Sequence, residues 1–282
     1  MGTVMRVLVL GGTGFVGRAI TEQLDEPTLF NRGTSPLFPT AEHRRGDRET
    51  GDYASLMTGE WDAVVDVTAY FPWQVRQTMD ALGDRVRRYL FISSHAVFAG
   101  AGDELRPAIP DAEPPLTNAT YGPSKVACER EVVARFGERA TIVRPVKVAG
   151  PHDNQTGLTT WTRAAARGGR FELPGDPSQP VQLVDSRDLA RLVVKLLDKD
   201  RGGAHTAAGP STDLAGLMAV CAAAAGTEVE IVPVPEQSYF PLVKPRELWN
   251  TQNRKPAEDQ TVTPLETTVQ DVLAWDRTRP PV

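Results

Sequence analysis

The sequence has few of the features that mark metal sites, secreted scaffolds or membrane spans. Its 282 residues contain two cysteines, Cys128 and Cys221, without a CxxC pair, and four histidines, no two of which have metal-ligand spacing. We therefore expect no metal site, and two unpaired thiols favour a reducing compartment. The N-terminus has no apolar stretch of signal-peptide length, and no run is long enough to cross a bilayer, which predicts a cytoplasmic protein.

An excess of basic charge is also missing. The formal net charge is −5 at pH 7, and no basic segment is interleaved with aromatic residues. This composition argues against nucleic acid or a membrane surface as the partner and favours a small molecule. The length and the apolar fraction of 40% suit one large domain, or one domain with a smaller lobe.

Apolar segments alternate with helical segments through the first two-thirds of the chain. The expected strands are "RVLVLGG", "TLFNRG", "WDAVVDVTAY", "RYLFISS" and "ATIVRPVKVAG". The intervening segments "GFVGRAITEQL", "PWQVRQTMDAL" and "YGPSKVACEREVVARF" have helical spacing. Continuous apolar strands separated by helices predict an α/β fold with a doubly wound parallel sheet.

The pattern becomes irregular after Gly150. Residues 151–180 are turn-rich with one helical piece, and 181–200 return to a strand and an amphipathic helix. We therefore expect a first domain over 1–150, to which 181–200 return, and a smaller lobe over 151–180 and 201–282. A final helix is expected at about 264–276, and the proline-rich stretch 232–256 carries no motif.

A glycine cluster joins the first strand to the first helix. Gly11, Gly14 and Gly17 have the spacing that allows a tight turn, close backbone approach to a pyrophosphate and close packing of helix on strand. The helix that begins near Phe15 and Val16 points its N–H groups and positive dipole end at the phosphates. The cluster predicts a dinucleotide-binding domain over 1–150.

The end of the second strand indicates which dinucleotide is bound. NAD sites usually place Asp or Glu there to accept from the ribose 2′-OH, but this chain has Asn31 and Arg32. A carboxylate would repel a 2′-phosphate, whereas a guanidinium can bind it with two hydrogen bonds. The sequence therefore favours NADP over NAD.

At this point the chain resembles the extended short-chain dehydrogenases/reductases, the group that holds the NAD(P)-dependent epimerases and dehydratases. The resemblance rests on "GGTGFVG", "GDRET", "DVTAY", "FISSHAVFAG", "YGPSK", "VRPVKVAGP" and "VDSRDLA", in that order. It implies a Rossmann fold with a C-terminal substrate-binding lobe. It also implies that Asp47 contacts adenine and that Thr68 and Ala69 line the cofactor cleft.

The resemblance assigns catalysis to Ser94, Tyr121 and Lys125. Tyr121 and Lys125 lie four residues apart, so both side chains can share one helix face. A nearby ammonium and the positive ring of an oxidised nicotinamide would favour the phenolate of Tyr121, which would then exchange a proton with the substrate. Lys125 would also hold the nicotinamide ribose, and Ser94 would hydrogen-bond the substrate oxygen.

Departures from the family pattern narrow the reaction. His95 and Ala96 stand where sugar dehydratases of this group carry an Asp-Glu pair, so dehydration is not expected. Val181 stands where nucleotide-sugar enzymes usually carry a diphosphate-binding arginine, which argues against such a substrate. His95, Lys147 and Trp161 are candidate substrate contacts.

The leading interpretation is an NADP-dependent oxidoreductase that acts on a carbonyl or secondary alcohol of a small metabolite. The alternatives are an NAD(P)-dependent nucleotide-sugar epimerase, which needs the same three residues, and a non-catalytic relative that senses NADP or binds RNA. The resemblance also suggests a homodimer, because helices next to the catalytic residues form dimer contacts in many members of this group.

Overall fold

The computed structural model describes residues 5–34, 38–153, 156–235, 240–244, 246–251 and 253–279. Residues 1–4 and parts of the proline-rich stretch 232–256 lie outside these ranges. The strands are, in chain order, β1 (Val7–Leu10), β2 (Thr28–Asn31), β3 (Glu42–Arg45), β4 (Trp61–Asp66), β5 (Val86–Ile92), β6 (Ala140–Pro145), β7 (Lys147–Ala149), β8 (Gly169–Pro174), β9 (Pro180–Asp185), β10 (Gly203–Ala207), β11 (Ser211–Asp213) and β12 (Val229–Val234). The α-helices are α1 (Phe15–Thr21), α2 (Pro72–Leu82), α3 (Asn118–Phe136), α4 (Gly157–Arg167), α5 (Ser186–Asp198), α6 (Leu214–Ala225) and α7 (Leu265–Arg277).

The largest sheet has seven strands in the order β10-β6-β5-β4-β1-β2-β3. The pairings from β3 through β6 are parallel, and the order reverses between β1 and β4. Strands such as β1 are apolar throughout because helices cover both faces of a doubly wound sheet, and all four of its residues are buried. The predicted α/β fold is confirmed, and the reversal places the ends of β1 and β4 where such folds bind ligands.

Two strands of this sheet, β3 and β10, were missed by the sequence pattern. β3 has the sequence Glu-His-Arg-Arg and lies at the sheet edge, where it pairs only with β2. An edge strand whose two faces are both partly exposed to solvent needs no alternation of apolar and polar residues, so hydrophobic periodicity gives no signal for it.

The segment "ATIVRPVKVAG" forms two strands rather than the single one expected. β6 ends at Pro145 and belongs to the seven-stranded sheet, whereas β7 begins at Lys147 and pairs with β9. Between them, the backbone N–H of Val146 donates to the carbonyl of Ala207. Apolar residues continue on both sides of Arg144 and Pro145, and sequence analysis did not treat this dipeptide as a strand end.

The chain divides into two compact units. The first comprises Met1–Pro145 and Leu189–Thr206, and the second comprises Val146–Asp188 and Ala207–Val282. We expected all of 181–200 to return to the first domain, but β9 pairs with β7 and β11 in the second unit, and the return begins at Leu189. The functional labels of the two parts stay predictions.

The second unit has its own apolar core. Its β9 pairs in parallel with β7 and antiparallel with β11, and β8 pairs in parallel with β12. Trp161 of α4, Leu217 of α6 and Val269 of α7 are fully buried together with residues of these strands. The predicted final helix matches α7 to within a residue at each end.

The described residues contain neither a helix suited to spanning a membrane nor a cluster of side chains suited to a metal ion. None of the helices found there combines the length and the apolar character that a membrane span requires. Over the same ranges, no group of three or more His, Cys, Asp or Glu side chains is placed to hold a metal ion.

Candidate active site

The glycine loop between β1 and α1 has the geometry that its spacing predicts. Gly11 has φ = +84°, a left-handed conformation that L side chains rarely adopt, and its carbonyl accepts from the backbone N–H of Gly14. A Cβ on Gly17 would collide with the carbonyl oxygen of Gly11, so this position needs glycine for α1 to pack on the loop. Gly14 is the exposed N-cap of α1 and uses no side chain to cap the helix, whose first N–H groups lack intrahelical acceptors. Phe15 and Val16 open the helix and are half-buried.

The end of β2 carries an unsatisfied polar atom. Asn31 Oδ1 accepts from the backbone N–H of Gly33 at 2.8 Å, which fixes the orientation of the amide. Its Nδ2 is buried and has no hydrogen-bond partner among the described residues. A buried donor without a partner costs free energy unless something else accepts from it. Arg32 follows directly and is exposed.

A second arginine lies beside this strand end. Arg45 is paired in register with Asn31 and is exposed, and its Nε is 3.6 Å from where a Cβ of Gly33 would lie. Sequence analysis missed Arg45 because it missed β3. By contrast, the neighbouring Arg44 is bound to Glu42 and to backbone carbonyls.

Asp47, Thr68 and Ala69 occupy two neighbouring loops. The Asp47 carboxylate accepts from the backbone N–H of Glu49 at 3.0 Å and so shapes its own turn. The side chain of Thr68 lies against the Gly11 backbone, where a Cβ on Gly11 would collide with its methyl group. Ala69 is fully buried, and its carbonyl oxygen accepts from Lys125 Nζ at 2.8 Å. The glycine loop, the end of β4 and Lys125 are therefore adjacent.

Ser94 and Tyr121 are brought close together. Ser94 is the N-cap of a 3₁₀ turn, His95–Val97, and its side chain lies near enough to the Tyr121 hydroxyl to lower the pKa of that phenol. Burial, followed by the nearby Tyr70, raises the pKa of Tyr121 to about 12, against a lowering contribution from Ser94. The phenol is therefore protonated at neutral pH in this structure, whereas we expected conditions that favour the phenolate. That expectation included the charge of an oxidised nicotinamide.

Lys125 is buried with its ammonium satisfied by backbone. Its Nζ donates to the carbonyl oxygens of Ala69 and Ile92, each at 2.8 Å, and lies 4.2 Å from the centroid of the Phe91 ring. Both of these hydrogen bonds go to backbone oxygens, and neither goes to Tyr121. Burial lowers the pKa of Lys125 to about 8, despite nearby groups that raise it.

Local sequence explains how α3 reaches the serine. Thr117 caps the helix by accepting from the backbone N–H of Thr120. A Cβ on Gly122 would collide with the Ala96 carbonyl, so glycine at this position allows α3 to lie directly against the turn after Ser94. Sequence analysis did not single out Gly122, and only its place next to Tyr121 hints at this role.

The two serines of "ISS" have different partners. Ser93 donates to Glu129 at 2.5 Å, and Arg144 binds the same carboxylate through two nitrogens. Of the two serines, Ser94 is the one that affects the pKa of Tyr121, and its catalytic role stays a prediction. His95 is buried, with Nδ1 3.3 Å from the Pro145 carbonyl oxygen.

The remaining candidates lie in the second unit. Trp161 is fully buried, and its indole N–H donates to the Pro241 carbonyl at 3.0 Å, so its surroundings are those of a core residue rather than of the expected substrate contact. Val181 is buried in the same apolar cluster. Lys147 is half-buried beside the first turn of α4. Burial, followed by the charge of nearby Lys147, lowers the pKa of Lys244 to about 8.

Comparison with known proteins gives a family. Residues 62–208, more than half of the chain, match the model of the NAD dependent epimerase/dehydratase family. The chain belongs to this family. The predicted resemblance is thereby confirmed, and the chain is an NAD(P)-dependent enzyme of the short-chain dehydrogenase type. No curated protein matches the sequence at a significant level.

Solved structures share the fold at low sequence identity. The UDP-N-acetylglucosamine 4-epimerase from Methanobrevibacter ruminantium M1, in complex with UDP-N-acetylmuramic acid, is 17% identical with a TM-score of 0.74 over 98% of this chain and 99% of that one. The UDP-N-acetylglucosamine 4-epimerase from Bacillus cereus is 18% identical with a TM-score of 0.71 over 99% and 98%. The UDP-glucuronic acid 4-epimerase from Bacillus cereus, in complex with NAD, is 16% identical with a TM-score of 0.71 over 97% of each chain.

Proposed function

We propose that this family member is an NADP-dependent oxidoreductase that moves a hydride to or from a carbonyl or secondary alcohol of a small metabolite. The observation that carries the proposal is the convergence of three side chains: Ser94 lies close enough to the hydroxyl of Tyr121 to lower its pKa, and Lys125 is buried four residues along the same helix. When bound, a nicotinamide supplies the hydride acceptor or donor.

The chain's own residues fit a dinucleotide at three places. The loop of Gly11, Gly14 and Gly17 offers exposed backbone and helix N–H groups to a pyrophosphate, and a Cβ at Gly14 would meet only the Gly11 carbonyl at 3.7 Å. The unsatisfied Nδ2 of Asn31 could donate to the adenosine ribose or its phosphate. Phe15, Val16, Asp47, Thr68, Ala69 and Lys125 complete the proposed cofactor set.

Tyr121 would act as the proton donor in reduction. A protonated phenol is the form required to give a proton to a carbonyl oxygen that becomes an alcohol, and its raised pKa supports this role. Ser94 would donate to the same substrate oxygen. Lys125 would orient the nicotinamide ribose, since its ammonium is already held next to Ala69.

Arg32 supports NADP rather than NAD, together with Arg45, because two guanidiniums at a strand end without a carboxylate suit a 2′-phosphate. Fluorescence titration of NADPH and NADH tests this. NADPH should bind more tightly, and Arg32→Ala and Arg45→Ala should each weaken NADPH binding with little effect on NADH. Equal affinity for the two cofactors would contradict the choice of NADP.

Nucleotide-sugar epimerisation is the second candidate, because the neighbours whose substrates are named are 4-epimerases of nucleotide sugars. Val181, buried in an apolar core where a diphosphate-binding arginine was sought, argues against it. Thermal-shift measurements with UDP, dTDP and GDP sugars in the presence of NADP separate the two functions. Stabilisation by one of these sugars would favour the epimerase, whereas net NADPH oxidation by a carbonyl compound would favour the oxidoreductase.

The proposal includes a cytoplasmic location and a homodimer. Both cysteines are buried free thiols, which suits a reducing compartment. Sedimentation analysis tests the dimer, and a monomer at micromolar concentration would contradict it. His95 and Lys147 stay candidate substrate contacts.

A further inference from the structure

A buried ion pair lies near Lys125, the lysine of the proposed active site. Asp66, the last residue of β4, has no exposed surface, and Arg48 approaches it with two nitrogens, each 3.2 Å from a different carboxylate oxygen. Arg48 also donates to Thr78 at 3.3 Å.

Asp66 connects this ion pair to the backbone beside Lys125. Its Oδ1 accepts from the backbone N–H groups of Thr68 and Ala69, each at 3.2 Å, and its Oδ2 accepts from the Tyr89 hydroxyl at 2.7 Å. These bonds fix the turn after β4. The carbonyl oxygen of Ala69 in that turn is one of the two acceptors of the Lys125 ammonium.

The charges around Lys125 are largely neutralised in pairs. Asp66 and Glu129 both raise its pKa, and Arg48 lowers it. Each carboxylate has its own arginine, because Arg144 binds Glu129 just as Arg48 binds Asp66. The other ionisable neighbours, Cys128, Tyr70 and Tyr121, have raised pKa values and are neutral at pH 7.

We propose that Asp66 is a positioning residue for Lys125 and that Arg48 is its charge partner. The carboxylate holds the turn that presents Ala69 to the ammonium, and the pair keeps a net charge away from Lys125. The value of this arrangement for NADP binding rests on the function proposed above. The effect on the Lys125 ammonium itself does not.

The two halves of the pair should affect Lys125 in opposite directions. Asp66→Asn leaves the Arg48 cation unpaired and removes an anion, so the pKa of Lys125 should fall. Arg48→Met leaves the carboxylate held by Tyr89 and two backbone N–H groups, so the pKa of Lys125 should rise. The double variant, Arg48→Met with Asp66→Asn, removes both charges and should return the pKa toward that of the parent protein.

Carbon-13 NMR of lysine Cε in the labelled full-length protein measures this directly, and only six lysines are present. Lys125→Met assigns the signal, whose titration midpoint should lie near pH 8 in the parent protein. We expect a shift of about one pH unit downward in Asp66→Asn and a smaller upward shift in Arg48→Met. NADPH affinity should fall about tenfold in Asp66→Asn.

Matched controls separate positioning from general damage. Asp62→Asn removes a partly exposed carboxylate on the same strand, and Asp185→Asn breaks an arginine–carboxylate pair in the second unit. Neither should move the Lys125 midpoint. If Asp66→Asn folds poorly, Tyr89→Phe takes its place, because it removes one hydrogen bond from Asp66 while leaving both charges. It should move the Lys125 midpoint by less than the shift of about one pH unit expected for Asp66→Asn.

The outcomes distinguish the claims. Midpoints that stay unchanged in Asp66→Asn and Arg48→Met, or that move in the same direction in both, would overturn the positioning proposal. Opposite shifts without any change in NADPH affinity would support the charge coupling but contradict the link to cofactor binding. Opposite shifts in a protein that binds no nicotinamide cofactor would leave the positioning role intact and sink the proposed function.

Discussion

The two units use their buried polar groups differently. In the second unit, the Trp161 indole bonds to a backbone carbonyl, and Asp185 is held by Arg187 and Thr268. In the first unit, Asn31 Nδ2 has no partner among the described residues and Lys125 is buried with its pKa lowered, and both belong to the proposed cofactor set. The second unit has counterparts outside that set: Thr159 Oγ1 also lacks a partner among the described residues, and burial lowers the pKa of Lys244 to about 8. Polar groups that satisfy one another stabilise a fold, whereas groups left unsatisfied or charged in a buried place cost stability and are typical of binding sites.

Two arginine–carboxylate pairs, Arg187 with Asp185 and Arg48 with Asp66, make the same contrast. Arg187 is half-exposed and divides its nitrogens between Asp185 and Asp271, so it ties β9 to α7. Arg48 is nearly fully buried and serves a carboxylate whose other bonds reach the turn beside Lys125. The predictions below test whether changes in the first unit impair function and changes in the second impair stability.

The largest effect is expected from Tyr121→Phe. The change removes the proton donor but keeps the ring, so turnover of a reducible carbonyl should fall by roughly 10²–10⁴ while NADPH affinity changes little. Steady-state NADPH oxidation measures this. Adding Ser94→Ala should cost less than the sum of the single losses, because the two hydroxyls act as a unit. Near-full turnover in Tyr121→Phe would remove the contrast between the units.

In the second unit, Trp161→Ala should act on stability instead. It empties a fully buried site packed against Phe171 and Phe240, and should lower the free energy of unfolding by about 3–5 kcal/mol. Urea denaturation measures the loss. NADPH affinity, measured well below the unfolding midpoint, should be retained, and a selective loss of affinity in a still-folded variant would contradict the assignment of Trp161 to the core.

A smaller effect is expected from Arg32→Ala. Loss of a charged hydrogen bond to the 2′-phosphate should cost about 1.5–3 kcal/mol of NADPH binding, a tenfold or greater rise in Kd, with little change for NADH. Arg170→Ala, an exposed arginine of the second unit, is the matched control and should change neither affinity. An equal loss for both cofactors would show that Arg32 does not read the 2′-phosphate.

The smallest effect is expected from Lys125→Met on stability. Its sign is opposite to that of the losses above, because this change should raise the free energy of unfolding. The pKa of about 8 in the folded chain lies below the value of ~10.4 for an unfolded lysine. The unfolded chain therefore binds this proton more tightly, and stability should rise as pH increases from about 8 to 10.4. Lys125→Met should abolish that rise and add about 1–3 kcal/mol at pH 7. A variant less stable than the parent at pH 7 would contradict this reading of Lys125.

Much of the first unit was predictable because its physics is local. The alternation of apolar strands and helices indicates the parallel sheet, and the glycine spacing indicates the loop. The structure gives the reason for one of these glycines, because a Cβ on Gly17 would collide with the Gly11 carbonyl oxygen. Tyr121 and Lys125 were predicted from the resemblance of "YGPSK" to the family pattern, and their spacing of four residues lets both side chains share one helix face.

The remainder depends on tertiary context. The polar edge strand β3 has no periodic signal, so Arg45 was missed. The change of sheet at Val146 was missed because apolar residues continue on both sides of Arg144 and Pro145. Trp161 was expected to contact a substrate because it lies in the segment after Gly150 that should supply the substrate lobe. The sequence alone could not distinguish that role from the role of a core residue. The pairing of Arg48 with Asp66 joins residues 18 positions apart, which no local pattern reveals.

The most direct test of the central claim is a fluorescence titration of NADPH against the parent protein, Lys125→Met and the control Lys199→Met, which changes an exposed lysine of the first unit. This measurement needs no knowledge of the substrate. We expect saturable NADPH binding in the parent protein, an unchanged Kd in Lys199→Met and a Kd raised at least tenfold in Lys125→Met, because the buried ammonium next to Ala69 is the group proposed to hold the nicotinamide ribose. Equal affinity in all three proteins would contradict the account.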